Sequence, residues 1–147
     1  MVVSLSNIVV ADELVSKSFF GGVAINGHDS VAYHDQIEKQ HIATIGDSAH
    51  EFEWKGATWR FATRQSRDLF AANPEQYAPA YNGFCANALS LGNGLKKTDG
   101  THWQIFDGQL YVFYSGKGRD RWLAGDYREY KAAADLAWQK ILVENEN

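Results

Sequence analysis

The chain has 147 residues, 45% of them hydrophobic and 14% aromatic, which suits one domain and supplies a core without covalent staples. Its one cysteine, Cys85, excludes an intrachain disulfide framework and any zinc site that draws two or more cysteines from one chain. A formal charge of −4 argues against a general nucleic-acid binder, and no apolar run approaches the ~20 residues that span a bilayer.

In chain order, Met1 to Ala11 is apolar but broken by Ser4, Ser6 and Asn7. Val9-Val10-Ala11 ends in the small-residue manner of an export cleavage site, yet no basic stretch precedes it. The segment reads as an ordinary packed N-terminal segment of a cytoplasmic protein, or as the tail of a longer signal that would make the protein periplasmic. Residues 1–19 therefore form an N-terminal segment, 20–125 the domain, and 126–147 a helix packed on it. No internal repeat and no low-complexity tract stands out.

Asp29 precedes Ser30 and a short helical turn from Val31, where its carboxylate can cap free N–H groups. Phe52 and Trp54, then Lys55-Gly56, then Thr58, Trp59 and Phe61 predict a hairpin. Thr63 predicts the cap of a helix from Arg64 to Ala72 that turns Leu69 and Phe70 inward and stops at Pro74. Phe84 to Leu91 predicts a short helix closed by Gly92. Asp107-Gly108, between Ile105-Phe106 and Leu110 to Tyr114, predicts a second hairpin. From Asp126 or Tyr127 to Val143, Tyr130, Ala134, Ala137, Trp138, Ile141 and Leu142 recur at helical spacing. The sum is an α+β domain: two antiparallel hairpins forming a small sheet, short helices, and a longer amphipathic C-terminal helix.

The run Gly56 to Phe61 with Trp59, followed by Phe70, Pro74 and Tyr77, resembles the YHS domain, a small metal-associated module related to the TRASH zinc fingers. Gly27-His28-Asp29-Ser30-Val31-Ala32-Tyr33 is similar to the Gly-Tyr-Asp-Pro-Val-Ala-Tyr motif of one bacterial branch of that family. Asn82 to Ala86 and Asp107 to Tyr111 also look like that branch, so the resemblance covers residues 20 to 125. It implies a metal or ligand-binding module. Where metal-binding members place cysteines, however, this chain has Ala32, Ala62 and Ser66, which lack the soft donors such a site needs.

Several residues remain as candidates for chemistry. Cys85, near a helix start, reads as a metal ligand, a redox-sensitive thiol or a nucleophile, or as a buried apolar residue. With His50, His28 and His34 it could rebuild a copper or zinc site if the fold gathers them; otherwise these histidines are scattered, and His28 and His34 fill aromatic slots. Asp29 reads as a cap or as part of a site. Tyr33, Trp59 and Tyr81 read as core or as walls of an aromatic pocket. No phosphate-binding glycine loop, nucleophile elbow or zinc-protease motif is present. The leading expectation is a non-catalytic binding module for a metal or small ligand, its pocket lying between the hairpins and the Cys85 helix. A rebuilt metal site, thiol redox chemistry and a homodimeric partner-binding domain are the alternatives.

Overall fold

A type I′ two-residue hairpin loop requires positive φ at both residues, and the sequence supplies residue pairs that tolerate it. Lys55 and Gly56 take φ of 51° and 71°, and Asp107 and Gly108 take 50° and 78°. The first pair joins β1 (Asp47–Trp54) to β2 (Ala57–Phe61); the second joins β3 (His102–Phe106) to β4 (Gln109–Phe113). Each hairpin is its own two-stranded antiparallel sheet. The computed structural model describes residues 13–35 and 42–146, so the readings on Met1 to Ala11 lie outside the described residues.

Helices follow each hairpin and precede it. Thr63 accepts from the Ser66 N–H at 3.1 Å and starts α2 (Arg64–Ala72). Phe70 of this helix is fully buried, but Leu69 is 41% exposed, which corrects its inward assignment. The two residues lie about 100° apart around the helix, and the hairpin accommodates only the larger ring. Pro74 both stops α2 and opens α3 (Pro74–Tyr77), where its missing N–H has no partner to lose. The remaining helices are α1 (Ser30–His34), α4 (Ala86–Ser90), α5 (Gly116–Ala124) and α6 (Tyr127–Asn145). No described helix is long and apolar enough to cross a membrane.

The fold contains an internal repeat, which corrects the expectation that there is none. Every residue of β2 and α2 has a structural counterpart 52 positions later in β4 and α5, helix boundaries included. The turn pairs coincide, as do Phe61 with Phe113, Arg67-Asp68 with Arg119-Asp120, and Ala72 with Ala124. Upstream the spacing becomes 56. Ile25, Asn26 and Gly27 take φ of 41°, 53° and 78°, and Tyr81, Asn82 and Gly83 take 59°, 51° and 87°. Three successive left-handed residues are rare for chains of L-amino acids, and each non-glycine member costs roughly 1–2 kcal/mol. Two such kinks, each followed two residues on by the N-cap of a five-residue helix, mark one architecture used twice.

The cores repeat as well. Trp59 and Phe70 pack with ring centroids 5.3 Å apart, and their counterparts Tyr111 and Trp122 also lie 5.3 Å apart. The second core is enlarged by α6, which adds Ala134 with Tyr130, Ala137, Trp138 and Ile141. Asp126 caps that helix by accepting from the Arg128 N–H. Tyr33 of the first repeat stacks on Trp103 of the second at 4.6 Å, within a cluster that includes Leu110 and Val112. This contact joins the two halves into one body.

Candidate functional site

The residue that caps the short helix differs between the repeats, and the difference locates the site. In the first repeat it is Asp29, fully buried. Its Oδ1 accepts the N–H groups of Val31 and Ala32 at 2.9 and 3.0 Å, and its Oδ2 accepts that of Ala62 at 2.9 Å. One carboxylate thus ties the start of α1 to the end of the first hairpin. The capping role read from the sequence is shown, and a third bond extends it.

In the second repeat the counterpart of Asp29 is Cys85. Its Sγ accepts the N–H of Ala88 at 3.4 Å and of Tyr114 at 3.2 Å. Ala88 and Tyr114 are the counterparts of Ala32 and Ala62, so the same backbone cradle surrounds a sulfur here and a carboxylate there. Cys85 is 3% exposed and borders a cavity of about 280 Å3. Its lining includes the polar residues Asn87, Asn93, Lys96, Tyr114 and Ser115 beside Leu91, Leu95 and Gly118. Among the described residues, no acidic side chain lines it.

Two further features polarise the cavity. Thr63 caps α2, whereas its counterpart Ser115 makes no side-chain cap bond to α5. The first-turn N–H groups of a nine-residue helix, carrying the positive end of its dipole, therefore lack a side-chain acceptor at the cavity edge. Lys96 brings an ammonium group 3.8 Å from the Tyr114 ring centre. Opposite, Arg121 donates to Asn87 Oδ1 at 2.7 Å and to Ser90, which fixes the α4 wall against α5. Gly118 permits that close approach, since a Cβ there would lie 2.9 Å from the Asn87 Cβ.

The other predicted residues do not join this site. No histidine among the described residues lines the cavity. His50 sits half-buried on β1, and His28 is buried beside its own kink, with Nδ1 3.1 Å from the Ile25 carbonyl oxygen. His34 packs edge-on against Tyr77 at 5.4 Å. Burial holds its pKa below the ordinary histidine value, against the opposing pull of Asp35 and the Tyr77 carbonyl. Among the described residues, no group of three His, Cys, Asp or Glu side chains could hold a metal ion. His28, His34, His50 and Cys85 therefore do not converge as a ligand set.

Tyr33, Trp59 and Tyr81 fall into three separate core clusters rather than one aromatic pocket. The Tyr33 hydroxyl donates to the Gly100 carbonyl at 2.6 Å, and the Tyr81 hydroxyl donates to Asp135 at 2.7 Å. Burial raises the pKa of both phenols, helped by neighbouring carboxylates. A second cavity of about 330 Å3 lies between Lys17, Phe19, Asn26, Lys97 and Asp99. There a carboxylate offsets the lysines.

Sequence reasoning missed Lys96, Asn87, Asn93 and Ser115. The available signal was the pairing of Thr63 with Ser115 and of the two Asn-Gly kinks. Compared with protein-family models, curated proteins and solved structures, the chain matches none.

Proposed function

We propose that the protein is a non-catalytic binding module on a duplicated YHS-type scaffold, taking a small anionic ligand in the Cys85 cavity. The observation that carries this reading is the cavity itself: a lysine, helical N–H groups without a side-chain cap and asparagines, with no acidic residue among the described residues on its lining. Kinship to the YHS type is supported by position. Ala32, Ala62 and Ser66 stand where that family places cysteines, and Asp29 bonds the first two through their N–H groups. Their counterparts Ala88, Tyr114 and Gly118 all line the cavity. The ancestral donor positions of the second repeat thus surround open space, emptied of sulfur except for the cradle residue Cys85.

In this reading the first repeat is the structural half, its cradle satisfied by Asp29. The second half keeps the same cradle beside a cavity. Calorimetric titration with phosphate, sulfate and short carboxylates tests the proposal. Saturable binding that Lys96→Ala weakens severalfold supports it. The absence of saturable binding by any of these anions overturns it, and copper or zinc binding lost in Cys85→Ala would put a metal in their place.

A second reading, self-association, is favoured by Phe19 and Phe20, which are 87% and 85% exposed at the tip of a tight turn. Light scattering of wild type and a Phe19→Ser, Phe20→Ser variant tests it. A dimer that the substitutions dissociate supports this reading, and a wild-type monomer removes it.

A further inference from the structure

We infer that the kink at Asn26 is a docking clamp for an extended acidic peptide of a partner chain, beside a cavity that Lys17 and Lys97 line. The second repeat shows what such a kink holds. Asn82, with φ of 51° and ψ of 34°, donates through Nδ2 to the Leu14 carbonyl at 2.8 Å. Its own carbonyl accepts the Ser16 N–H at 3.0 Å. The carbonyl of one residue and the N–H of the second residue after it point to the same side of an extended chain. One asparagine thus grips a stretch of chain by backbone groups that any extended peptide presents. The grip leaves Asn82 buried. Asn26 is the same residue in the same conformation, with φ of 53° and ψ of 31°. There the grip is open: Asn26 is exposed, and among the described residues none takes its side-chain amide or its carbonyl.

Asparagine suits left-handed backbone, so its presence at both kinks says nothing of a ligand by itself. The space beside Asn26 is a separate observation. This residue lines the cavity of about 330 Å3, with Lys17, Phe19, Lys97 and Asp99 among the other walls. Phe19 is 87% exposed and offers an apolar lip to a peptide side chain. The charges there are unequally occupied. Asp99 Oδ1 accepts the Thr101 N–H and hydroxyl at 2.9 and 2.6 Å, and Lys17 donates to the Gly56 carbonyl at 3.1 Å. Lys97 is exposed and has no partner among the described residues. Two lysines against one aspartate leave the lining positive, which favours a peptide with acidic side chains. The chain's own Leu14–Ser16 stretch is taken up at Asn82, so a second copy cannot lend that stretch without unseating it. The occupant is therefore a peptide of another chain.

This cavity is not the one beside Cys85, so the inference and the anion proposal stand or fall separately. The probe is a fluorescein-labelled peptide with the sequence Ala11-Asp12-Glu13-Leu14-Val15-Ser16, which carries two acidic residues ahead of the stretch that Asn82 grips. Fluorescence anisotropy against the full chain is expected to show saturable binding. Asn26→Gly keeps the left-handed backbone and removes the amide, and is expected to weaken binding about fivefold or more. Lys97→Glu, or a probe carrying Asp12→Asn and Glu13→Gln, is expected to weaken it as well. Thermal melts of each variant beside wild type ensure that the loss is read on folded protein. Three results overturn the inference: no saturable binding by wild type, equal binding by wild type and Asn26→Gly, or equal binding of the acidic and neutral probes.

Discussion

Removing the Asp29 carboxylate tests the cradle quantitatively. Asp29→Ala leaves three N–H groups, those of Val31, Ala32 and Ala62, without the oxygens that now accept them at 2.9–3.0 Å. The carboxylate is fully buried, so water does not replace it in the folded state. Hydrogen bonds to a charged group contribute about 1.5–3 kcal/mol each. At the lower end, three of them put the loss at about 4–5 kcal/mol, a large part of the stability of a domain this size. Asp29→Asn separates the contributions. Its oxygen can keep Val31 and Ala32, but its amide then turns N–H groups toward the Ala62 N–H, so one bond becomes a clash of donors worth about 1–3 kcal/mol. Asp29→Cys recreates the arrangement at Cys85, two N–H groups on one sulfur, and should fall between Asn and Ala. Urea unfolding followed by tryptophan fluorescence measures all three. Asn as costly as Ala, or Ala within about 1 kcal/mol of wild type, would refute the reasoning.

Other outcomes follow from particular side chains. Burial lowers the His34 pKa, so above the ordinary range near 6.5 both folded and unfolded chains hold it neutral. As pH falls below that value, the unfolded chain takes the proton first and stability is lost; urea unfolding at pH 5 and pH 8 should show His34→Phe with a smaller acid-side loss than wild type. Gly118→Ala places a methyl 2.9 Å from the Asn87 Cβ and should cost about 1–3 kcal/mol by forcing α5 off α4, readable as a lower melting temperature. The Phe19→Ser, Phe20→Ser variant should keep wild-type stability within about 0.5 kcal/mol, since both rings already face solvent; a larger loss in a melt would show that they pack.

Local chemistry was legible in the sequence where one residue type decides a conformation. Lys55-Gly56 and Asp107-Gly108 announced the hairpin turns, Thr63 and Asp126 the helix starts, and Asp29 its cap. The duplication was faint in the sequence, because only scattered pairs such as Phe61 with Phe113 and Arg67-Asp68 with Arg119-Asp120 kept their identity. Thr58 became Leu110, Arg60 became Val112, Leu69 became Arg121 and Asp29 became Cys85, so these pairs share backbone shape rather than side-chain character. The spacing also changes from 56 to 52 between the kink and the hairpin, which breaks any fixed period. Leu69 was misassigned because periodicity finds a face but not which of two adjacent residues the hairpin can cover. The cavity escaped for a further reason. Its walls come from α4, the loop before Thr98 and the start of α5, brought together through backbone bonds such as that of the Cys85 N–H to the Lys96 carbonyl.

Amide-resolved NMR during a titration with phosphate tests the site assignment most directly. If the second repeat's cradle is an anion site, the amides of Ala88, Tyr114 and Gly116 to Gly118 shift together and saturate, while those of Val31, Ala32 and Ala62 stay put. Shifts spread over the surface lysines, or equal movement in both halves, would contradict the account.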